Sequence, residues 1–159
     1  MGNLVAIDEN FLLSVSLLYY LYLAKDDILY AFERGFCLQL LSKYFHNPVR
    51  QQNIREIKEE GFQQKFLMEL FVNVFGYIIN PDPKFNLTTE FKNEKGAKKA
   101  DGAILIDAKA LGVIEFKSTK VKGLEKIRQQ AFDYKANQTG CIYVITSNFE
   151  KLRFYINRL

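Results

Sequence analysis

The chain has 159 residues, enough for one ordinary domain with a core and room for a helical extension. Its hydrophobic fraction of 48% and charged fraction of 25% exclude a disordered chain, and its net charge of +4 allows a polyanionic partner without demanding one. Cys37 and Cys141 match no metal-ligand spacing and read as reduced cytosolic thiols; the single His46 excludes mechanisms that need two histidines, and no Walker-type glycine loop is present.

Residues 11–23 form a dense apolar stretch, too short to span a bilayer. The leader before it holds Asp8 and Glu9 and no Lys or Arg, unlike a signal peptide, and Ala6 stands where myristoylation requires Ser or Thr. The expectation is therefore a buried helix in a cytoplasmic protein with no membrane partner. A second helix is expected from Asp27 to Tyr44, ended by His46-Asn47-Pro48 because a residue before proline avoids helix. Residues 1–55 read as a helical accessory region and residues 56–159 as the chemical core.

A third helix is expected from Ile54 to Phe75, closed by Gly76. Phe66, Leu67, Leu70, Phe71 and Val74 make its apolar arc, and Glu59, Glu60 and Gln63 fall on the same arc. Two readings of those carboxylates stand side by side. Glu60, with Glu59 as its rival, is a further metal ligand, or both are simply favoured by the helix dipole.

Asn80-Pro81-Asp82-Pro83 reads as a loop, and Phe85 to Lys92 as the first strand, with Asn93-Glu94-Lys95-Gly96 as the turn that follows. Two short β-prone runs come next, Ala103–Ile106 and Leu111–Ile114, joined by a hairpin linker, Asp107-Ala108-Lys109-Ala110. A helix from Leu124 to Asn137 and strands at Cys141–Thr146 and Leu152–Ile156 complete the chain.

The charges on the hairpin are out of place for strands bound for a core. Asp101 stands at the mouth of the first, and Glu115 and Lys117 share one face of the second. Two carboxylates and an ammonium converging there are costly unless a cation or a substrate phosphate joins them. Carboxylate oxygens are the ligands Mg²⁺ prefers, so this arrangement suits metal-assisted phosphodiester cleavage, with Lys117 orienting the attacking water. The bland alternative is an edge hairpin with solvated charges. Lys92, Lys95, Lys98 and Lys99 lie beside Asp101, as a solvated cluster or, in Lys98 and Lys99 above all, as phosphate contacts.

The order Asp101, then Glu115-Phe116-Lys117, resembles the motif of the PD-(D/E)xK nuclease superfamily, with Ala100 in place of the usual proline. Gln130-Ala-Phe-Asp-Tyr134 resembles the Gln-x-x-x-Tyr motif that follows it in the RecB-like and restriction branches. Together with Asn86–Glu90, Lys98–Ala103 and Tyr143–Arg153, these segments resemble the N-terminal nuclease region of type IIG restriction–modification enzymes, over residues 59–159.

The resemblance implies an α/β fold with a restriction-endonuclease-like core, a central mixed β-sheet flanked by helices. It implies a Mg²⁺-dependent hydrolase of double-stranded DNA, with Mn²⁺ able to substitute. Asp101 and Glu115 would hold the ion, Lys117 would position water, and Gln130 and Tyr134 would help hold the site and the DNA. The methyltransferase and target-recognition parts would lie in the same or a partner chain, because this sequence has no S-adenosylmethionine loop and no intact Asn-Pro-Pro-aromatic motif. Two other readings remain at this stage: the nuclease region of a type I restriction motor subunit, and an inactive DNA-binding or assembly module.

Overall fold

The computed structural model describes residues 39–92, 94 and 98–156. The helices expected over 11–23 and 27–44 lie outside the described residues, apart from a helical stretch at 39–45. So does Cys37, and so does the turn at 93–96 apart from Glu94.

The fold is α/β. Five strands form one mixed sheet in the order β1-β2-β3-β4-β5, and the strands are Leu87–Lys92, Lys99–Ile106, Lys109–Phe116, Tyr143–Ser147 and Leu152–Ile156. The first three are antiparallel neighbours, β3 and β4 run parallel, and β5 returns antiparallel to β4. A parallel pair needs a crossover, and helix α3 (Glu125–Ala136) supplies it. Before the sheet come α1 (Pro48–Glu56), α2 (Glu59–Phe66) and a π-helical turn, Leu67–Val72. Among the described residues no helix is long and apolar enough to cross a membrane.

The hairpin is tighter than the four-residue linker the sequence suggested. Its strands extend until only Asp107 and Ala108 remain between them, both with positive φ (50° and 62°), as two-residue turns of this hand require.

The helical segment departs further from expectation. A single helix over residues 54–75 was expected; two helices and a π turn take its place. Pro48 ends the helical stretch 39–45 but also opens α1 at its first turn, where a missing N–H does no harm. Asn47 caps that turn by accepting the Arg50 N–H at 2.9 Å. The chain then extends at Ile57 and Lys58 (ψ 141° and 142°) before α2 begins. Ile54 before the break and Phe62 after it are both buried. The π turn widens the spacing: the Phe75 N–H reaches back five residues to the Leu70 carbonyl, and Phe66, Leu67, Leu70, Phe71 and Phe75 are all buried. Gly76 follows with φ 76°, the expected left-handed C′ residue.

The sheet carries a core on each face. On one, Ile104, Ile114, Phe116, Ile145 and Phe154 pack with Phe62, Phe66, Leu70 and Phe71 from the helices. Phe66 meets Phe116 and Phe149 edge-on at 5.4 and 5.2 Å. On the other face, Ala103, Val113, Val144 and Tyr155 pack beneath Phe132 of α3. The middle strand is therefore buried on both sides, and its apolar run Val113-Ile114 carries Glu115 inside with it.

Candidate active site

Strand register assembles the site. Gly102 pairs with Ile114, so Asp101 stands opposite Glu115. Glu115 pairs with Thr146, and Thr146 with Arg153. At the other edge, Thr89 pairs with Gly102 and Phe91 with Ala100, leaving Glu90 opposite Asp101. One level across all five strands thus reads Glu90, Asp101, Glu115, Thr146, Arg153. Two residues along, Lys92 pairs with Lys99, and the same register places Lys117 beyond them. A row rich in carboxylates is flanked by a row of lysines.

Glu115 is the centre of this row and is only 2% exposed. Its Oε1 accepts hydrogen bonds from Lys117 Nζ at 2.7 Å and from the Gln130 side-chain amide on α3. Its Oε2 is buried and has no hydrogen-bond partner among the described residues. Burial, reinforced by the charges of Asp101 and Glu59, pushes the Glu115 carboxyl up to about 7, although Lys117 pulls the other way. Asp101 is half-buried, and its Oδ2 accepts the Phe116 N–H at 2.7 Å. Its pKa is also raised by burial, against the pull of that N–H and of Lys117. Burial works against the Lys117 ammonium, but Glu115, Asp101 and Glu59 outweigh it and hold its pKa above that of an ordinary lysine. Lys117 is therefore a fixed cation and hydrogen-bond donor at neutral pH, not a base.

Of the two candidate helix carboxylates, the fold brings in Glu59. It is the first residue of α2, and its Oε2 accepts the Ser118 N–H just beyond Lys117. Glu60 is exposed. Adjacent helix residues point about 100° apart, so only one can face the site, and the break at Ile57–Lys58 determines which.

The backbone that follows Lys117 is held at several points. The Lys117 N–H donates to the Ser147 carbonyl at 2.9 Å, and Asn148 Nδ2 donates to the Val121 carbonyl at 2.8 Å. Glu150 pairs with Lys122 at 2.9 Å and with Arg55 of α1. Ser147 and Asn148 are fully buried. None of these supports was anticipated from the sequence, and neither were Thr146 and Glu90. They come from strands or turns remote in sequence: the β3–β4 pairing brings Thr146 and Ser147 alongside, and the β1–β2 pairing brings Glu90.

The remaining candidates divide. Gln130 contacts Glu115 directly, as above. Tyr134 lies on α3, with its side chain outside the described residues. Lys98 is exposed before β2, and Lys99 pairs with Glu90 at 3.0 Å on the surface. Lys95 lies outside the described residues. Among the described residues, no group of three His, Cys, Asp or Glu side chains is gathered as a ready-made metal cage.

No family model, no curated protein and no solved structure matches this chain.

Proposed function

We propose that the chain is a divalent-metal-dependent DNA endonuclease domain of restriction type, built on a PD-(D/E)xK core. The observation that carries the reading is Glu115. A carboxylate this deeply buried, opposite Asp101 and with one oxygen unpartnered, is unfavourable as it stands and becomes favourable beside a cation. The donor set is carboxylate oxygen, which fits Mg²⁺ or Mn²⁺, and Mg²⁺ typically takes only one or two protein carboxylates while keeping several waters. Asp101 and Glu115 are the residues that would hold the ion. When bound, such an ion supplies Lewis acidity toward a phosphodiester and makes its bound water more acidic.

The other roles belong to the protein's own groups. Lys117 Nζ, held 2.7 Å from Glu115, donates hydrogen bonds that orient an attacking water and stabilise charge developing on the phosphate. Gln130 fixes Glu115 from the helix side through its amide. Glu59 and the Ser147 carbonyl fix the backbone at Ser118 and Lys117, the point from which the Lys117 side chain reaches Glu115. The row Lys92, Lys99 and Lys117, with Lys98 beside it, offers positive charge to a phosphate backbone without reading sequence. Sequence specificity is assigned to methyltransferase and target-recognition parts in the same or a partner chain.

The test is nicking of supercoiled plasmid at low salt with Mg²⁺ and with Mn²⁺, comparing wild type with Lys117→Ala. Cutting is expected to fall by at least about a hundredfold, since one preorganised donor supplies roughly 3 kcal/mol of barrier lowering. DNA affinity is expected to change little, because many phosphate contacts share it. Equal cutting by the two proteins would remove Lys117 from the reaction and the nuclease assignment with it.

A further inference from the structure

Asn148 opens the turn between β4 and β5 and is fully buried. Its side chain uses both ends of the amide. Oδ1 accepts the Lys151 N–H at 2.9 Å, within the turn, and Nδ2 donates to the Val121 carbonyl at 2.8 Å, 27 residues back in the chain. The first contact is the ordinary reason for such a residue in a turn, and aspartate would serve it as well. The second does nothing for the turn. It requires a donor, which an ionised aspartate lacks.

The turn is a rigid place from which to hold something. Ser147 Oγ donates to the Lys151 carbonyl at 2.7 Å and accepts the Phe149 N–H at 2.9 Å. Phe149 has φ 67°, a conformation that is unfavourable for a bulky residue and persists only where its surroundings overdetermine it. Those surroundings are the rings of Phe62, Phe66 and Phe116, with centroids 5.3, 5.2 and 5.4 Å from its own.

What hangs from this anchor is the segment that follows Lys117. Ser118 to Val121 is a closed turn: the Val121 N–H donates to the Ser118 carbonyl at 2.9 Å, and the Lys120 N–H to Ser118 Oγ at 3.2 Å. Holding the Val121 carbonyl therefore holds Ser118, the residue next to Lys117. We propose that Asn148 is a positioning residue for Lys117, fixing through Val121 and the 118–121 turn the backbone from which the ammonium reaches Glu115. The Ser147 carbonyl, accepting the Lys117 N–H at 2.9 Å, holds the near end of that backbone, and Asn148 holds the far end. The anchor itself stands on geometry. Its consequence for DNA cleavage rests on the function proposed above.

Two measurements test this on two variants. Asn148→Asp keeps the shape and the acceptor and loses the donor; Asn148→Ala, neutral and smaller, also loses the donor and avoids burying a new charge. Amide hydrogen exchange in the metal-free protein is read first, by NMR. The Lys120 and Val121 amides should exchange at least about tenfold faster relative to those of β3, because the turn opens locally once its anchor is gone. Plasmid nicking follows, as a double-mutant cycle with Lys117→Ala. Changing Asn148 beside an intact Lys117 should slow nicking by about tenfold to a hundredfold, since a misplacement of about 1 Å has an effect of that order. With alanine already at position 117, the same change should slow it by less than about twofold.

Unchanged exchange in the turn overturns the proposal, even if the protein cuts DNA. So does exchange that speeds up equally in the turn and in β3, or loss of the fold in both variants, either of which would mean that the amide supports the whole fold. Nicking that is unchanged, or that falls equally with and without Lys117, overturns it as well, because Asn148 would then not act through the ammonium. Faster exchange confined to the turn, in a protein whose wild type cuts no DNA, supports the Asn148 anchor and refutes the nuclease reading instead.

Discussion

Glu115→Gln tests the electrostatics of the site without assuming any activity. In the metal-free protein the Glu115 carboxyl is pushed from 4.5 up to about 7, chiefly by burial and then by Asp101. The sign follows from linkage: the folded state holds this proton more tightly than the unfolded chain. The benefit is fully present below about pH 4.5 and is lost as the pH rises through 7. With about 1.4 kcal/mol per pKa unit, ionising Glu115 costs the fold about 3 kcal/mol above neutrality. The side chain is 3% exposed, so solvent screening removes little of this. Glutamine keeps the acceptor for Lys117 and Gln130 but never ionises. Its stability relative to wild type should therefore improve by about 2.5 kcal/mol between pH 5 and pH 8, whatever the constant offset between acid and amide. Urea unfolding in EDTA at the two pH values measures this, and an excess of Mg²⁺ at pH 8 should reverse the order by stabilising wild type more than the variant. A difference between the two proteins that does not change with pH would refute the account of Glu115 as a carboxylate strained by burial.

Two further outcomes follow from the packing. Glu59→Ala, which leaves the Ser118 N–H without its carboxylate, is expected to lower stability by roughly 1–3 kcal/mol and to reduce plasmid nicking, whereas Glu60→Ala should leave both the melting temperature and the nicking rate unchanged. The reverse ranking would mean that α2 turns its other side to the site. Phe66→Ala, at a fully buried ring packed edge-on against Phe116 and Phe149, should lower the unfolding free energy by roughly 3–5 kcal/mol in chemical denaturation. A loss below about 1 kcal/mol would place the helices off this face of the sheet.

Much of the sheet was legible along the chain. Strands β1, β2, β3, β4 and β5, the crossover helix α3 and the left-handed Gly76 all follow from local patterns: short β-prone runs between turn residues, a helical stripe, and a glycine where φ is positive. The same local reading brought Glu115 and Lys117 onto one face, because side chains two apart on a strand must share it. It read the helical segment less well. Periodicity over 54–75 contained no sign of the extended backbone at Ile57 and Lys58, where the helix breaks. The choice of Glu59 over Glu60 is a consequence of that break.

The amino-acid order by itself determined which residues carry charge into the centre of the protein, since an apolar strand cannot bury Val113 and Ile114 without taking Glu115 along. Tertiary structure alone decided what surrounds that charge. Gln130, Glu59 and the adjacent pair Thr146 and Ser147 come from three separate parts of the chain, and their meeting at Glu115 and Lys117 depends on the register of a parallel strand pair and the rotation of a helix. Local sequence specifies neither, because both are set by how two apolar faces fit together across the sheet.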